Sequence, residues 1–270
     1  MIESTTDDGF TALLHAMHAK SGHSFVGRRV VSCDKHGDHE RDIFQDGDNR
    51  LHGDTCGACA TEHAAAESLA AHAKELRNAR FGQAEIPLRF QDRTLGNYEA
   101  TTPNQMRILA ACREYAENFK AIRKAGTCMI FSGGVGTGKT HLSAAIANTI
   151  MGAGYSARFA TVSGAVRRVR ASWRTDENEQ AAINLFCDPD LLILDEIGVQ
   201  SGSENEHQIV FEILNARYER MLPTILLSNL PLTGEGKTVR TYLGDRITDR
   251  LREGGGKAFV FDWSSGRGSR

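Results

Sequence analysis

The run Gly133-Gly-Val-Gly-Thr-Gly-Lys139-Thr140 limits what this chain can fold into more than any other feature. It fits the pattern GxxxxGK[ST], which cradles phosphate when a strand enters it and a helix leaves it. Both flanks are present, since 127–132 reads as a short apolar strand and 141–151 as a helix closed by Gly152 and Gly154. Glycines let the backbone wrap an anion, so that amide hydrogens and the helix N-terminus point at it. The expected ligands of ATP are therefore Gly133, Gly134, Val135, Gly136, Thr137, Gly138, Lys139 and Thr140, with His141 next along the helix. Lys139 neutralises the β and γ phosphates in such a loop, and the Thr140 hydroxyl reaches Mg2+.

After the loop, strands are expected at 157–162, 191–194, 224–228 and 258–261, alternating with helices at 163–174, 178–187, 204–221 and 239–253. A further helix at 105–124 precedes the loop and carries apolar residues at helical spacing. This alternation predicts an α/β fold, a parallel sheet with helices on both faces. Asp195 and Glu196 stand at the tip of a fully apolar strand, where phosphates would lie. Asp195 suits the magnesium shell, and Glu196 suits orienting and deprotonating the attacking water. Asn229 ends the next strand, placed to bridge that water and the γ-phosphate. Arg246 and Arg250 fall one helical turn apart, with Asp245 and Asp249 unable to satisfy both. One of them is a candidate to reach a neighbouring subunit's γ-phosphate, against the plainer reading of a surface helix laced with ion pairs.

The N-terminal third reads differently. Cys33 and His36, then Cys56 and Cys59, form two chelating pairs of the kind that hold Zn2+ tetrahedrally, with His39, His52 and His63 as spare ligands. A zinc module over residues 25–60 follows, leading into a helix at 61–80. Gly82 to Pro87 punctuates the chain and divides it into an N-terminal zinc-binding and helical module, 1–85, and a larger domain, 86–270. No stretch approaches the roughly 20 apolar residues of a membrane span, and Glu3, Asp7 and Asp8 stand where a leader would be basic. A cytoplasmic protein with reduced thiols and no membrane partner is expected. The net charge of −2 restricts any nucleic-acid contact to a local patch. Arg167, Arg170 and Arg174, near Arg168 and Trp173, supply the candidate, unless Asp176, Glu177 and Glu179 merely answer them on a solvated face.

Taken together, the phosphate loop, Ile193 to Gln200, Arg89-Phe90, Asn97-Tyr98 and Asp245 to Leu251 closely resemble the DnaC family of bacterial and phage replicative helicase loaders. The resemblance spans roughly residues 86–264, and IstB-type transposition ATPases share much of it. It implies an AAA+ ATPase of weak intrinsic activity, without the C-terminal helical lid of most AAA+ proteins. It also implies a hexameric DnaB-like helicase bound through the N-terminal region, nucleotide-dependent homo-oligomers, and placement of the helicase on single-stranded DNA. Position by position, it implies that Arg250 is the arginine finger, that Asn229 is the sensor, and that Phe90 and Tyr98 lie near adenine. The zinc module resembles that of DnaI-like loaders. Ser201 to Asn205 lacks the aromatic that some relatives offer DNA. The alternative is an IstB-like regulator assembling on double-stranded DNA.

Overall fold

The structure is a computed structural model that describes residues 15–52, 56–175, 178–199 and 203–266. The chain divides into two compact units between Glu75 and Leu76. In the first, strands β1 (Ser24–Val31), β2 (His39–Gln45) and β3 (Leu51–His52) form an antiparallel sheet in that order. Sequence reasoning assigned no strands here because β1 is exposed along nearly its whole length, which erases the period-2 signal. A register shift between Phe25 and Gly27 breaks the pattern again. The helix expected at 61–80 is longer, α1 (Gly57–Gln83).

In the second unit the expected 105–124 helix is two. The first, α2 (Pro103–Glu117), opens with a Thr102 capping box completed by Gln105 and with Pro103 in its first turn. Asn118 leaves helical geometry at φ −97°, ψ 23°, and α3 (Phe119–Ala125) follows, ended by Gly126. Then come β4 (Met129–Gly133), α4 (Lys139–Gly152), β5 (Ala157–Thr161), α5 (Val162–Ser172), α6 (Glu179–Cys187), β6 (Leu191–Ile197), α7 (Glu204–Glu219) and β7 (Thr224–Ser228). The expected 239–253 helix also breaks, into α8 (Val239–Leu243) and α9 (Asp245–Arg252). The break falls at Gly244, whose φ of 76° with ψ of 160° only glycine adopts readily. β8 (Lys257–Phe261) is last. Among the described residues no helix is long and apolar enough to cross a membrane.

The sheet of the second unit is wholly parallel, in the order β5-β6-β7-β4-β8. Both of its faces are buried, so successive residues of one strand enter different cores. Ile193 packs with Ile108, Ile146 and Phe131 on one side, whereas Leu192 and Leu194 pack with Val166, Ile209 and Ile213 on the other. That is the parallel α/β architecture, with helices on both faces, expected from the sequence. Beneath it lies Arg217, 1% exposed. Its guanidinium donates to Thr224 Oγ1 at 2.9 Å and to the carbonyls of Phe186 (3.0 Å), Pro189 (2.9 Å) and Pro223 (2.7 Å). Burial draws its pKa down to about 10. It ties together the segments that lead into β6 and β7, and so sets the level at which both strands end.

Candidate functional site

The strand order puts the central strand β7 between β4, which enters the phosphate loop, and β6, which carries the carboxylates. All three end at one edge, so loop, carboxylates and Asn229 converge there although they lie far apart in sequence. A cavity of about 780 Å³ opens at that edge. Its floor is the loop from Val135 to His141; Arg89, Phe90 and Arg93 form one wall, and Asp195, Glu196 and Asn229 the other.

Lys139 is 6% exposed. Its Nζ donates to the carbonyls of Gly133 and Gly134, both at 2.7 Å, and to Asn229 Oδ1 at 3.0 Å. The ammonium is thus held inside the loop and linked to the tip of β7. Gly133 has φ 146°, and a Cβ there would collide with the Phe261 carbonyl oxygen of β8. Gly138 has φ 94°, and a Cβ there would lie 2.7 Å from the Tyr98 ring. Tyr98 therefore packs under the loop, edge-on to His141 with ring centroids 5.2 Å apart, and is not among the residues lining the cavity. Phe90 does line it. Asn148 of α4 holds this wall, its Nδ2 donating to the carbonyls of Phe90, Gln91 and Arg93 at 3.2, 3.1 and 2.8 Å. His141 Nε2 lies 3.0 Å from Asn97 Oδ1, and burial lowers its pKa.

Thr140 Oγ1 donates to Asp195 Oδ2 at 3.2 Å, so the hydroxyl and carboxylate that would hold a magnesium ion are paired beside the loop. The donor set, one hydroxyl and one carboxylate oxygen, suits magnesium, which takes few protein oxygens and keeps the rest for water and phosphate. Burial raises the Asp195 pKa against the opposing hydrogen bonds from the Glu196 amide (2.7 Å) and Thr140. Between Leu194 and Ile197 the pairing of β6 with β7 slips by one residue. This bulge takes Asp195 and Glu196 out of the pairing with β7, although Asp195 still pairs with Thr161 of β5, and leaves Glu196 exposed at φ 64°, a left-handed conformation uncommon for glutamate. Strain of this kind gathers at functional sites.

Other residues of the site escaped sequence reasoning. Ser132 Oγ, at the end of β4, donates to the Leu230 carbonyl at 2.6 Å, and Ser228 Oγ to the Ile197 carbonyl at 2.7 Å. These hydroxyls pin the tips of β4, β6 and β7, which lead into the phosphate loop and carry Glu196 and Asn229; a serine ending an apolar strand was the available signal.

Arg250 lies elsewhere. It helps line a cavity of about 340 Å³ with Gly126, Cys128 and Thr224, near the starts of β4 and β7 and so at the other end of the sheet from the phosphate loop. Its guanidinium carbon sits 4.8 Å from the centre of the Tyr218 ring. Its Nη1 is buried with no hydrogen-bond acceptor among the described residues. Arg246 instead covers Phe211, and Asp245 is taken by Arg240 at 2.7 Å. The basic patch is also rearranged, because α5 stops at Ser172 and leaves Arg174 beyond the helix that carries Arg167 and Arg170. Arg170 donates to Ser203 Oγ at 3.1 Å, while Arg167 lines a cavity of about 510 Å³ with Arg158 and Arg168. Asp176, Glu177 and the 200–202 part of the loop after β6 lie outside the described residues.

In the first unit Cys33, His36, Cys56 and Cys59 present ligand atoms all within 4.8 Å of one another. Cys33 Sγ lies 3.5 Å from Cys59 Sγ, and His36 Nδ1 lies 3.5 Å from Cys56 Sγ and 3.3 Å from Cys59 Sγ. Zn–S bonds of about 2.3 Å meeting tetrahedrally separate the sulfurs by about 3.8 Å, so three thiols and one imidazole at these spacings fit zinc. Backbone amides of Lys35 and His36 lower the Cys33 thiol to about 6, whereas the hydrogen bond to Cys33 raises its neighbour Cys59 to about 11, so of these two Cys33 is the readier thiolate. Glu62 Oε1 stands 3.4 Å from His36 Nε2, the carboxylate position that orients a ligating histidine. The spare histidines go elsewhere: His39 to the Gly37 carbonyl, His52 to Asp46 and His63 to Glu67.

The family model of IstB-like ATP binding proteins matches residues 65–254, a stretch that contains the phosphate loop, Asp195, Glu196 and Asn229 and begins after the Cys/His cluster. The replicative helicase loader DnaC of Escherichia coli K12 is 33% identical over 188 residues, 69% of this chain and 74% of that protein. The crystal structure of the DnaC helicase loader superposes with a TM-score of 0.57 at 21% identity, covering 64% of this chain and 99% of that one. The crystal structure of DnaI gives 0.55 at 20% identity, over 67% and 95%. At these identities the two structures speak for the fold.

Proposed function

Since the chain belongs to the DnaC/DnaI/IstB-type family of AAA+ proteins, we propose that it is a cytoplasmic ATPase that loads a hexameric, DnaB-like replicative helicase onto single-stranded DNA. The observation that carries the ATPase reading is the linkage of three strand ends around one cavity, with Thr140 bonded to Asp195 and Lys139 to Asn229. The loop amides and Lys139 bind the phosphates. Thr140 and Asp195 would hold Mg2+, which would supply charge neutralisation on the phosphoryl oxygens. Glu196, set outward by its bulge, orients the attacking water and takes its proton, and Asn229 bridges that water and the γ-phosphate.

Arg250 would serve a neighbouring subunit, because its own cavity lies at the other end of the sheet. Weak intrinsic turnover and nucleotide-dependent homo-oligomers follow, since an arginine absent from its own site is supplied only by assembly. The N-terminal region, 1–85, held by zinc on Cys33, His36, Cys56 and Cys59, would grip the helicase. Arg167 and Arg170 would follow a DNA backbone, with Arg174 contributing from beyond the helix end.

Native mass analysis of the protein mixed with its host's replicative helicase, with ATP and without, tests this reading. A complex that forms with the full chain and is lost without residues 1–85 is expected. The match to IstB-like proteins favours one alternative, a transposition regulator on double-stranded DNA. Tighter binding to duplex than to single strands, with no helicase complex under any condition, would establish that alternative instead.

A further inference from the structure

We infer that Trp263 is a positioning residue for the phosphate loop: its indole N–H holds the Thr137 carbonyl outward and so aims the Gly138 amide into the cavity. The inference rests on the nucleotide reading above. In a trans peptide the C=O of one residue and the N–H of the next point in opposite directions. A loop carbonyl fixed on the outside therefore fixes the following N–H on the inside, where phosphate lies.

The partners of the loop carbonyls divide into two groups. Lys139 Nζ reaches Gly133 and Gly134, Thr137 Oγ1 also donates to Gly134 at 2.8 Å, and the helix takes Gly138 through Leu142 N–H at 3.0 Å. These are local to the motif. Two of the carbonyls between them are held by the segment after β8: Gly136 accepts at 3.1 Å from the N–H of Gly266, which itself lines the cavity, and Thr137 accepts at 3.0 Å from Nε1 of Trp263, which does not and lies 126 residues away in sequence. The holding segment is itself anchored. Trp263 packs on Phe261 with centroids 4.9 Å apart, Phe261 pairs with Gly133 across β4 and β8, and Asp262 Oδ1 accepts from Asn104 Nδ2 at 2.8 Å.

Physics gives this tether a purpose. Gly136 and Gly138 have φ of 79° and 94°, and glycine crosses between positive and negative φ at little cost. Untethered, the peptides on either side of Thr137 would flip and present carbonyl oxygens to an anion. Holding them in advance removes that ordering cost from phosphate binding. The gain therefore belongs to any ligand carrying the polyphosphate, with or without a base.

Trp263→Phe keeps a ring on Phe261 and removes the N–H. Dissociation constants for ATP and for inorganic tripolyphosphate should both rise about 3- to 10-fold, the range of one net hydrogen bond. In turnover the loss should fall on KM more than on kcat. Gly266→Pro deletes the neighbouring donor and should act in the same direction. Wild-type affinity for both ligands in both variants overturns the inference. So does a weakened affinity accompanied by a fall of several degrees in ligand-free Tm in both variants, which assigns the segment to the fold alone. A wild-type protein that binds neither ATP nor tripolyphosphate overturns the nucleotide reading itself.

Discussion

Asp195→Asn should stabilise the protein while abolishing magnesium-dependent turnover. The carboxylate makes two hydrogen bonds, with the Glu196 amide at 2.7 Å and the Thr140 hydroxyl at 3.2 Å. An asparagine in the same rotamer keeps both, its Oδ1 accepting from the amide and its Nδ2 donating to the hydroxyl oxygen. What disappears is the charge, which burial and the neighbouring Glu196 disfavour strongly enough to raise the Asp195 pKa despite those bonds. Relief of such a strained functional residue is worth about 1 kcal/mol, or about 2–4 °C in Tm for a domain of this size. The pH dependence follows from the sign of the shift. A carboxyl whose folded pKa is raised destabilises the folded state fully above that pKa, and not at all below its unfolded value of about 3.9. The advantage of the variant should therefore be largest at neutral pH and shrink as the solution is acidified through the raised pKa. Scanning calorimetry without nucleotide or metal across that range reads it directly. A variant less stable than wild type at neutral pH, or a gap that stays constant with pH, would refute the reasoning.

Lys139→Ala should lose ATP binding by titration calorimetry, whereas Arg250→Ala should bind normally and fail in turnover; mixing Arg250→Ala with Glu196→Gln should restore part of the rate, since each supplies what the other lacks. Chelation should release zinc and melt the first unit, seen as loss of amide protection over β1 to β3 by hydrogen exchange, while protection in β4 to β8 persists. Arg217→Met should destabilise by about 3 kcal/mol in urea unfolding, because the orphaned carbonyls of Phe186, Pro189 and Pro223 outweigh the removal of a buried charge.

What could be read in the sequence was local. The phosphate loop announces itself through a strand, a glycine run and a helix in direct succession, and Asp195, Glu196 and Asn229 through their places at the ends of apolar runs. The four residues of the Cys/His cluster were visible because the two members of each pair stand only three positions apart. What was hidden depends on contacts across the fold or on backbone geometry. The bulge under Glu196 leaves no mark in a strand that reads as continuous, and the hydroxyls of Ser132 and Ser228 matter only once their strands are neighbours. Strand β1 was missed because exposure on both sides removes alternation. The breaks at Asn118 and Gly244 interrupt runs whose apolar spacing continues past them, so periodicity alone joined four helices into two. The early end of α5 at Ser172 likewise left Arg174 off the helical face to which its spacing had assigned it.

The dependence of Gly133 on β8 bears on the order in which the molecule can become active during synthesis. Strand β8 is translated after every other strand of its sheet, yet its Phe261 lies against the first residue of the loop and its following segment bonds to Gly136 and Thr137. A nascent chain still tethered within residues 257–266 lacks β8 beside β4 and the donors to Gly136 and Thr137, so its phosphate cradle is unfinished. On the nucleotide reading, capture would wait until that stretch has cleared the ribosome, and a chain truncated before it would have a phosphate loop without these supports.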